Sequence, residues 1–335
     1  MRAVTFETPG SPEVLKFRSV PDPVLIKNQV LVSVKACALN HLDIWIRQGT
    51  IAVPMPMPHI LGADVSGVVK GLGKVIVSPG QLLKDHKKFE GRDSYSPDFT
   101  ILGLQSQGGY AEKVAVDKRF VIPVSDRYTY EEWASFPLTA LTAYHMLVTR
   151  AQLKKGETVL VHAAGSGIGA MAIQLAKYFG AKVFTTVGDP KKVSRAKKLG
   201  ADEVILYREE DFSEKIKKVT GQKGVDVIFE HIGPETWPKN LSCLARGGRM
   251  VTCGATSGPK AEVDIRYLYS KQLSILGSYM GSLSELTKVI RLAEKGILKP
   301  VIDQIFPLEE AAAAHRHMES RLNFGKIVLK VGSIS

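Results

Sequence analysis

The sequence predicts an α/β protein in which a doubly wound parallel sheet is joined to a second, partly barrel-like β domain. In residues 132–280 short apolar runs alternate with helical patterns, which is typical of a parallel sheet covered by helices. Residues 1–131 carry short strand patterns punctuated by proline and glycine, without that alternation. A glycine-rich segment follows the first strand of the alternating region. We therefore expect two domains.

The β-rich domain is predicted to use both ends of the chain. Its N-terminal strand patterns lie at residues 2–6, 29–38 and 64–70, with a short helix at 40–48. At the other end, a helix at 283–295 and the helix in PLEEAAAAHRHM lead into a closing strand at 325–330. Because this strand is expected to return to the first domain, we assign residues 1–131 and 281–335 to that domain and 132–280 to the parallel-sheet domain.

The parallel-sheet domain shows a regular succession of elements. Strands are predicted at 159–162, 183–187, 203–206, 225–230, 249–253 and 274–277. Helices are predicted at 140–153, 169–179, 191–199, 212–220 and 236–244. Strands separated by helices in this way form βαβ units, the building block of a doubly wound sheet.

Composition narrows the class of protein. Of the 335 residues, 44% are hydrophobic and 23% are charged, which is typical of a globular protein. No apolar run approaches the roughly 20 residues of a membrane helix, and the start MRAVTFETPG lacks the apolar core of a secretory signal. We therefore expect a cytoplasmic protein. The net charge of +12 is spread along helices beside acidic residues, which favours a solvated surface over a nucleic-acid-binding face.

The segment TVLVHAAGSGIG (158–169) is the strongest single motif. A β-branched run leads into glycines, and an apolar helix pattern follows at once. This geometry aims backbone N–H groups at a pyrophosphate, so a dinucleotide site is favoured over an ordinary glycine-rich turn. The residues expected to face the pyrophosphate are Gly165, Ser166, Gly167, Ile168 and Gly169.

The residues at the end of the strand at 183–187, the second of the parallel-sheet domain, indicate whether NAD or NADP binds. An acidic residue there would hold the ribose hydroxyls of NAD, but the expected position carries Val187, followed by Gly188. Lys192 and Arg195 come next, and cations suit the 2′-phosphate of NADP. Asp189 could take the NAD role if the strand ran further. We favour NADP(H) over NAD(H).

These segments bring out a resemblance over essentially the whole chain. The chain resembles the medium-chain dehydrogenase/reductase superfamily, and within it a zinc-less alcohol dehydrogenase close to the quinone oxidoreductase branch. The matching segments are ALNHLDIWIRQG, HILGADVSGVV, GGYAEKVAV, FPLTALTAYHML, HAAGSGIGAMAIQLAKYFGAKV, GADEVILYREEDF, RGGRMVTCG and FGKIVL. The resemblance implies a GroES-like catalytic domain, a Rossmann domain, and hydride transfer to or from a carbonyl compound, enone or quinone.

The resemblance also implies where catalytic zinc would sit, and the residues there are unsuitable. The ligand positions correspond to Asn40, to the pair Ala63 and Asp64, and to Leu138, of which asparagine, alanine and leucine are not zinc ligands. Cys37 with Asp64 and His59 could form an unusual site, although a plain buried cysteine is favoured. The segment at 79–99, which matches a structural zinc lobe, has no cysteine; we interpret its Asp85, His86 and Asp93 as loop residues. We expect no zinc.

Further cofactor contacts are implied by the resemblance alone. His41 should approach the pyrophosphate, and Thr142 should lie under the nicotinamide. The backbones of Cys253, Ser278 and Met280 should hold the carboxamide. The residues that match 2′-phosphate contacts are Gly188, Lys192 and Tyr207. Asp43 and Lys326 match a pair near the nicotinamide ribose, although Asp43 is equally an acid at a helix start.

Without zinc, a hydrogen-bond donor must stabilise the developing oxyanion. Asn40 is the best candidate, while His41 is expected to be engaged by phosphate. Leu42 stands where zinc alcohol dehydrogenases carry a relay hydroxyl, and Trp45 stands where quinone oxidoreductases carry tyrosine. The candidate catalytic residues are Asn40, His41, Asp64 and Trp45. We expect NADP(H)-dependent reduction of a small apolar ketone, enone or quinone. An apolar pocket is suggested by Trp45, Ile46, Met55 and Met57, although such a group is as often part of the core.

Two alternatives stay open. One is a zinc alcohol dehydrogenase with displaced ligands. The other is a non-catalytic NADPH-binding protein that binds RNA, as some zinc-less relatives do, although no aromatic-basic stacking motif supports it. We expect no membrane association. The strand at 274–277 is expected at the sheet edge, where pairing between copies would give a homodimer, with a homotetramer as the other possibility.

Overall fold

The computed structural model describes residues 1–51, 53–84 and 87–332, except for the side chain of Lys87. The chain divides into a first unit, residues 1–141 with 281 onward, and a second unit, residues 142–280. The first junction lies later than the boundary at residue 132 given by the sequence. The reason is that Ala134 packs in a buried cluster with Ala36, Ala38 and Val328, all in the first unit. In the part of the chain that the structure describes, no helix is long and apolar enough to cross a membrane.

The first unit is built mainly of β-strands. Its N-terminal strands are β1 (Arg2–Thr5), β2 (Lys16–Ser19), β3 (Gln29–Ala38), β4 (Asp64–Val69), β5 (Gly73–Val77), β6 (Gly80–Leu82), β7 (Phe99–Ile101), β8 (Lys113–Asp117) and β9 (Val121–Pro123). Its N-terminal helices are α1 (His41–Gln48), α2 (Tyr130–Ala134) and the start of α3 (Pro137–Tyr144). Its C-terminal elements are α9 (Leu283–Glu294), β16 (Ile302–Pro307), α10 (Ala311–Glu319) and β17 (Lys326–Lys330).

Strand β3 organises the first unit. The main sheet has the order β16-β17-β3-β4-β5-β9, and β8 also pairs with β3. The end of β3 lies between two antiparallel neighbours, since Ala38 is opposite Val328 of β17 and opposite Asp64 of β4. The chain then enters α1, which ends at Gly49 in the left-handed conformation (φ 72°). Strand ends from distant parts of the sequence therefore meet at the start of α1.

The second unit is an all-parallel, doubly wound sheet. Its strands are β10 (Thr158–Val161), β11 (Lys182–Val187), β12 (Glu203–Leu206), β13 (Val225–Glu230), β14 (Leu244–Thr252) and β15 (Ser274–Gly277). Its helices are α4 (Gly167–Tyr178), α5 (Val193–Lys198), α6 (Phe212–Val219), α7 (Trp237–Cys243) and α8 (Ile265–Lys271), preceded by the end of α3 and a π-helix (His145–Arg150).

The strand order of this sheet is β12-β11-β10-β13-β14-β15. The chain thus starts in the middle and reverses direction between β10 and β13, which is the switch point where such sheets bind ligands beyond their carboxyl ends. Strand β11 is buried along nearly its whole length, as strands covered on both faces are. The predicted fold class is therefore confirmed. One detail differs: the helix predicted at 140–153 is α3 followed by the π-helix, a local widening often found near functional sites.

Candidate active site

The glycine-rich turn joins β10 to α4 at the switch point. Ser166 caps the helix, and its Oγ accepts a hydrogen bond from the Gly169 amide at 2.9 Å. A Cβ at Gly169 would lie 2.3 Å from the carbonyl oxygen of Ala163, so a side chain cannot fit there. The amides of Gly167 and Ile168, at the first two positions of α4, have no hydrogen-bond acceptor among the described residues. They are available for an anion.

Two buried hydroxyls of the second unit also lack a partner within the described ranges: Thr142 Oγ1 and Ser278 Oγ. An unpaired buried hydroxyl is costly, so each suits a polar ligand group. The backbone amides of Cys253 and Ser278 already donate to the carbonyls of Glu230 (3.3 Å) and Thr252 (2.8 Å). Of the three residues predicted to hold a carboxamide, Met280 alone keeps an amide with no acceptor in the described part. The Thr142 and Ser278 hydroxyls and the Met280 amide therefore suit the polar carboxamide group of a nicotinamide.

The ends of β11 and β12 form the region predicted to meet the ribose. Strand β11 ends at Val187, and a Cβ at Gly188 would lie 2.6 Å from the Tyr207 hydroxyl, so the tyrosine ring covers this glycine. Asp189 caps the short 3-10 turn that follows, accepting from the Lys191 amide at 2.9 Å. Lys192 closes that turn. The strand therefore does not continue to Asp189.

A buried polar layer that the sequence analysis missed lies at the end of β13. Glu230 is fully buried, and its carboxylate accepts hydrogen bonds from five uncharged donors. The donors are the amides of Ile232 and Gly233, the hydroxyls of Thr236 and Thr252, and the indole of Trp237. Burial of a carboxylate requires such complete hydrogen bonding.

Two buried histidines lie beside this layer. The His162 ring bonds Asn240 Oδ1 (2.7 Å), and His231 Nε2 lies 3.2 Å from the His162 carbonyl oxygen. Burial lowers the pKa of His162 to about 4, and burial also lowers the pKa of His231. Both rings are thus neutral near pH 7. A polar residue directly after each buried strand, as in VLVH and VIFEH, is the signal that could have found this layer.

In the first unit, the positions that match zinc ligands form a closed hydrogen-bonded network. Lys326 Nζ lies 2.7 Å from Asn40 Oδ1 and 2.8 Å from Asp64 Oδ2. Asn40 Nδ2 donates to the same Asp64 oxygen at 2.9 Å. The other oxygen of Asp64 accepts from the Leu138 amide at 2.7 Å. The structure thus brings together Asn40, Asp64 and Lys326, which the sequence placed in two separate roles.

This donor set does not fit zinc. Both oxygens of Asp64 are already engaged, an ammonium group lies within the cluster, and Leu138 contributes only its backbone amide. Zinc in proteins is held by three or four unprotonated nitrogen, sulfur or oxygen ligands. Across residues 1–51, 53–84 and 87–332, no group of three or more histidine, cysteine or acidic residues could hold a metal.

The displaced-ligand site suggested for Cys37, His59 and Asp64 finds no geometric support. Both ring nitrogens of His59 face backbone carbonyls, those of Pro56 (3.2 Å) and Gly103 (3.0 Å). Burial raises the pKa of the Cys37 thiol well above its usual value. In the segment matching a structural zinc lobe, Asp93 accepts from the Leu283 amide at 2.7 Å, at the start of α9. Asp85 and His86 lie outside the described residues.

Asp43 supports the start of α1. Its carboxylate accepts from the backbone amides of Asn40 (2.7 Å) and Gly62 (3.1 Å). Burial raises its pKa to about 7. The structure therefore places Asp43 as an acid at the helix start, the simpler of its two interpretations. Asp43 binds the backbone amide of Asn40, whereas Lys326 binds the Asn40 side chain.

The remaining residues on α1 divide between surface and core. His41 and Trp45 are partly exposed, with ring centroids 6.0 Å apart. Ile46 is 1% exposed and belongs to the core, which is the alternative that the sequence left open for this apolar group. On a helix, its side chain points away from the face shared by His41 and Trp45. Met57 is 47% exposed and Met55 partly so.

Comparisons with known proteins agree with both units. Residues 26–126 match the family model described as the alcohol dehydrogenase GroES-like domain, and residues 167–295 match the model described as zinc-binding dehydrogenase. Human quinone oxidoreductase is 34% identical over 325 residues, covering 95% of this chain and 94% of its own length. Quinone oxidoreductase 1 of Escherichia coli (strain K12) is 33% identical over 338 residues, covering 97% of this chain and 98% of its own.

Solved structures extend the likeness over the whole chain. A crystal structure of an NAD-dependent alcohol dehydrogenase superposes with a TM-score of 0.95 at 42% identity, covering 99% of this chain and 100% of its own. A crotonyl-CoA carboxylase/reductase in complex with NADP has a TM-score of 0.91 at 25% identity, covering 99% of this chain and 95% of its own.

Proposed function

Because the chain belongs to the medium-chain dehydrogenase/reductase superfamily, we propose that it is a zinc-independent, NADP(H)-dependent oxidoreductase that reduces an activated carbonyl compound or a quinone. The observation that carries this proposal is the network of Asn40, Asp64 and Lys326, in which Asn40 and Asp64 stand at positions that match zinc ligands and Lys326 adds an ammonium group that does not suit zinc. Oxidoreductase activity itself is the common property of the similar quinone oxidoreductases and dehydrogenases.

The residues of the second unit would bind and orient the cofactor. The free amides of Gly167 and Ile168 would hold the pyrophosphate at the start of α4. The unpaired hydroxyls of Thr142 and Ser278, with the Met280 amide, would hold the carboxamide. When bound, the reduced nicotinamide supplies a hydride.

In the first unit, Asn40 would stabilise the substrate oxygen as negative charge develops. Its Nδ2 has two hydrogens; one bonds Asp64, and the other has Ala38 O at 3.5 Å, too long for a good hydrogen bond. That second hydrogen is available to the substrate. One amide donor polarises less than a metal, so we expect acceptors that need little polarisation: quinones, enones and aromatic ketones.

The preference for NADP(H) over NAD(H) rests on the end of β11. Val187 ends the strand, Gly188 lies beside the Tyr207 hydroxyl, and the Asp189 carboxylate caps the next turn. Gly188 leaves room for the Tyr207 hydroxyl, and that hydroxyl, together with Lys192, could hydrogen-bond a 2′-phosphate. The similar NAD-dependent alcohol dehydrogenase points to the other cofactor, so kcat/KM must be measured for both. A ratio of NADPH to NADH above about tenfold, or about 1.4 kcal/mol, supports the proposal; a ratio below one overturns it.

The function is tested by following NADPH oxidation with quinones, enones, aromatic ketones and simple aldehydes, with and without a chelator. We expect turnover that survives the chelator and favours the activated acceptors. Loss of turnover on chelation, restored by zinc, would instead favour the displaced-ligand enzyme. Tight NADPH binding without turnover of any acceptor would favour the non-catalytic alternative, for which salt-sensitive RNA binding is the next assay.

Assembly through β15 completes the proposal. This strand lies at the edge of the second unit's sheet, and the preceding helix α8 exposes Ile265 and Tyr269 (66% and 70%). Exposed strand edges tend to be paired or covered. We expect a homodimer by light scattering and a monomer after Ile275→Pro, since proline removes a strand amide. A tetramer in which Ile275→Pro changes nothing would place the interface elsewhere.

A further inference from the structure

Lys326 is the only charged donor in contact with the Asn40 side chain among the described residues. We propose that Lys326 is a positioning residue for the reaction, setting both the direction and the donor strength of the Asn40 amide that binds the substrate oxygen. This inference rests on the proposed function. It replaces the role near the nicotinamide ribose that the resemblance implied for Lys326.

The ammonium group of Lys326 has no hydrogen left for a cofactor. Its three acceptors are Leu39 O at 2.6 Å, Asn40 Oδ1 at 2.7 Å and Asp64 Oδ2 at 2.8 Å. An ammonium group has three N–H bonds, so all of them are used. The side chain is also only 2% exposed. Lys326 therefore acts through its protein neighbours.

The neighbours of Asn40 permit one orientation of its amide. Oδ1 faces the ammonium of Lys326, and Nδ2 faces the carboxylate of Asp64. A flipped amide would place N–H against N–H on one side and oxygen against oxygen on the other. An asparagine flip is ordinarily ambiguous, but here the charges decide it. The second Nδ2 hydrogen is consequently held in a fixed direction.

Lys326 also makes that hydrogen a better donor. A charge-assisted bond at Oδ1 draws electron density from the amide, and linked hydrogen bonds strengthen one another. Asp64 works in the opposite sense, but it takes the other hydrogen. The polarising effect of a buried cation thus reaches the substrate through one amide group.

The orientation can be measured without any substrate. The sequence contains four asparagines, so protein labelled with 15N-asparagine gives four side-chain NH2 pairs, and Asn40→Ala identifies the pair of interest. We expect two sharp proton signals for Asn40, at shifts distinct from those of an exposed asparagine side chain. The matched variants are Asp64→Asn, which keeps Lys326, and Asp64→Asn with Lys326→Met, which has no unpaired buried charge; both carry the same fifth NH2 pair from the introduced asparagine, so they are compared with each other. The Asn40 pair should keep its distinct shifts in the first and move to the shifts of an unrestrained asparagine side chain in the second.

Kinetics then separate positioning from cofactor binding. Lys326→Met in the Asp64→Asn background should lower kcat tenfold to about a hundredfold, near the effect of removing one oxyanion donor, and Lys326→Arg should recover part of the loss. The dissociation constant of NADPH should change by less than about threefold. In an Asn40→Ala background, Lys326→Met should alter kcat by less than about twofold, because the residue it acts through is gone.

Three results would overturn the inference: an Asn40 pair that does not respond to Lys326→Met, an equal loss of kcat in the Asn40→Ala background, or weaker NADPH binding at unchanged kcat. Failure of the proposed function gives a different pattern. In that case no acceptor is reduced by the natural protein, whereas the Asn40 signals still report whether Lys326 sets the amide.

Discussion

Each unit contains a fully buried carboxylate, and the two are stabilised in opposite ways. Asp64 in the first unit faces an ammonium group, whereas Glu230 in the second faces five uncharged donors. Of the three donors to Asp64, Lys326 alone carries a compensating charge, whereas the five donors to Glu230 are all neutral. A buried carboxylate can thus be stabilised by one cation or by many neutral donors. Only in the first case does the loss of a single residue leave the carboxylate without a compensating charge.

The largest effect is expected from Lys326→Met, which leaves Asp64 buried without a cation. We expect a loss of about 3–5 kcal/mol in the free energy of unfolding, measured by urea denaturation. Lys330→Met is the matched control on the same strand: its partner Glu131 lies 3.8 Å away and Lys330 is 31% exposed, so the loss should stay below about 1 kcal/mol. Adding Asp64→Asn should restore most of the stability. Equal losses of unfolding free energy in Lys326→Met and Lys330→Met would contradict the special role of Lys326 beside a buried carboxylate.

Acid should weaken the second unit through His162. Its pKa is about 4 in the folded protein against an ordinary 6.5, so the unfolded chain gains a proton first as pH falls. The contribution of neutral His162 to the free energy of unfolding is therefore fully present above pH 6.5 and is lost as the pH falls from 6.5 to 4. The total loss is about 3 kcal/mol, at 1.36 kcal/mol per pH unit.

Asp43 in the first unit should respond in the opposite sense. Its folded pKa is about 7 against an ordinary 3.8, so the folded state holds the proton more tightly and stability falls as pH rises from 3.8 to 7. Hydrogen exchange of peptides from each unit, compared in His162→Gln and Asp43→Asn, measures both trends. Trends of the same sign in the two units would contradict the assignment.

Glu230→Gln should cost less than Lys326→Met, because the groups left behind are neutral. The new NH2 must face donors already present, and one unsatisfied buried donor costs about 2 kcal/mol. Trp237, the one tryptophan of the second unit, donates to Glu230 Oε2 at 3.0 Å, so its fluorescence reports on this site directly. A loss of unfolding free energy as large as that of Lys326→Met would mean that a carboxylate bound by neutral donors is no less sensitive to a single substitution than one bound by a cation.

The smallest effect concerns the glycine-rich turn. Gly169→Ala places a Cβ against the Ala163 carbonyl, so the turn must shift and the free amides move with it. We expect NADPH to bind about tenfold more weakly, or about 1.4 kcal/mol. Gly277→Ala, where nothing lies within 4 Å of the added carbon, is the control and should leave binding unchanged. Equal binding by both variants would remove the turn from the cofactor site.

The features that sequence reasoning found are local ones. The turn at Gly165 to Gly169 and the strand–helix alternation are encoded within short windows, and both the fold class and the family are confirmed. The contact between Asn40 and Lys326 joins residues 286 positions apart, and no spacing reveals it. Glu230 and His162 were overlooked because apolar strands surround them. The sequence left Ile46 open between pocket and core, because an apolar residue beside a site can face either way on a helix.

The contact between Asn40 and Lys326 also has a consequence for biosynthesis. A ribosome adds Asn40 and Asp64 early, but the chain must grow by 286 residues after Asn40, and by 262 after Asp64, before Lys326 exists. At about 5–20 residues per second, the early segment waits roughly 14–57 s. The second unit is continuous in sequence and can fold during this interval. Until β17 emerges, the nascent chain must keep the Asp64 carboxylate hydrated, so the site closes only after Lys326 has been added.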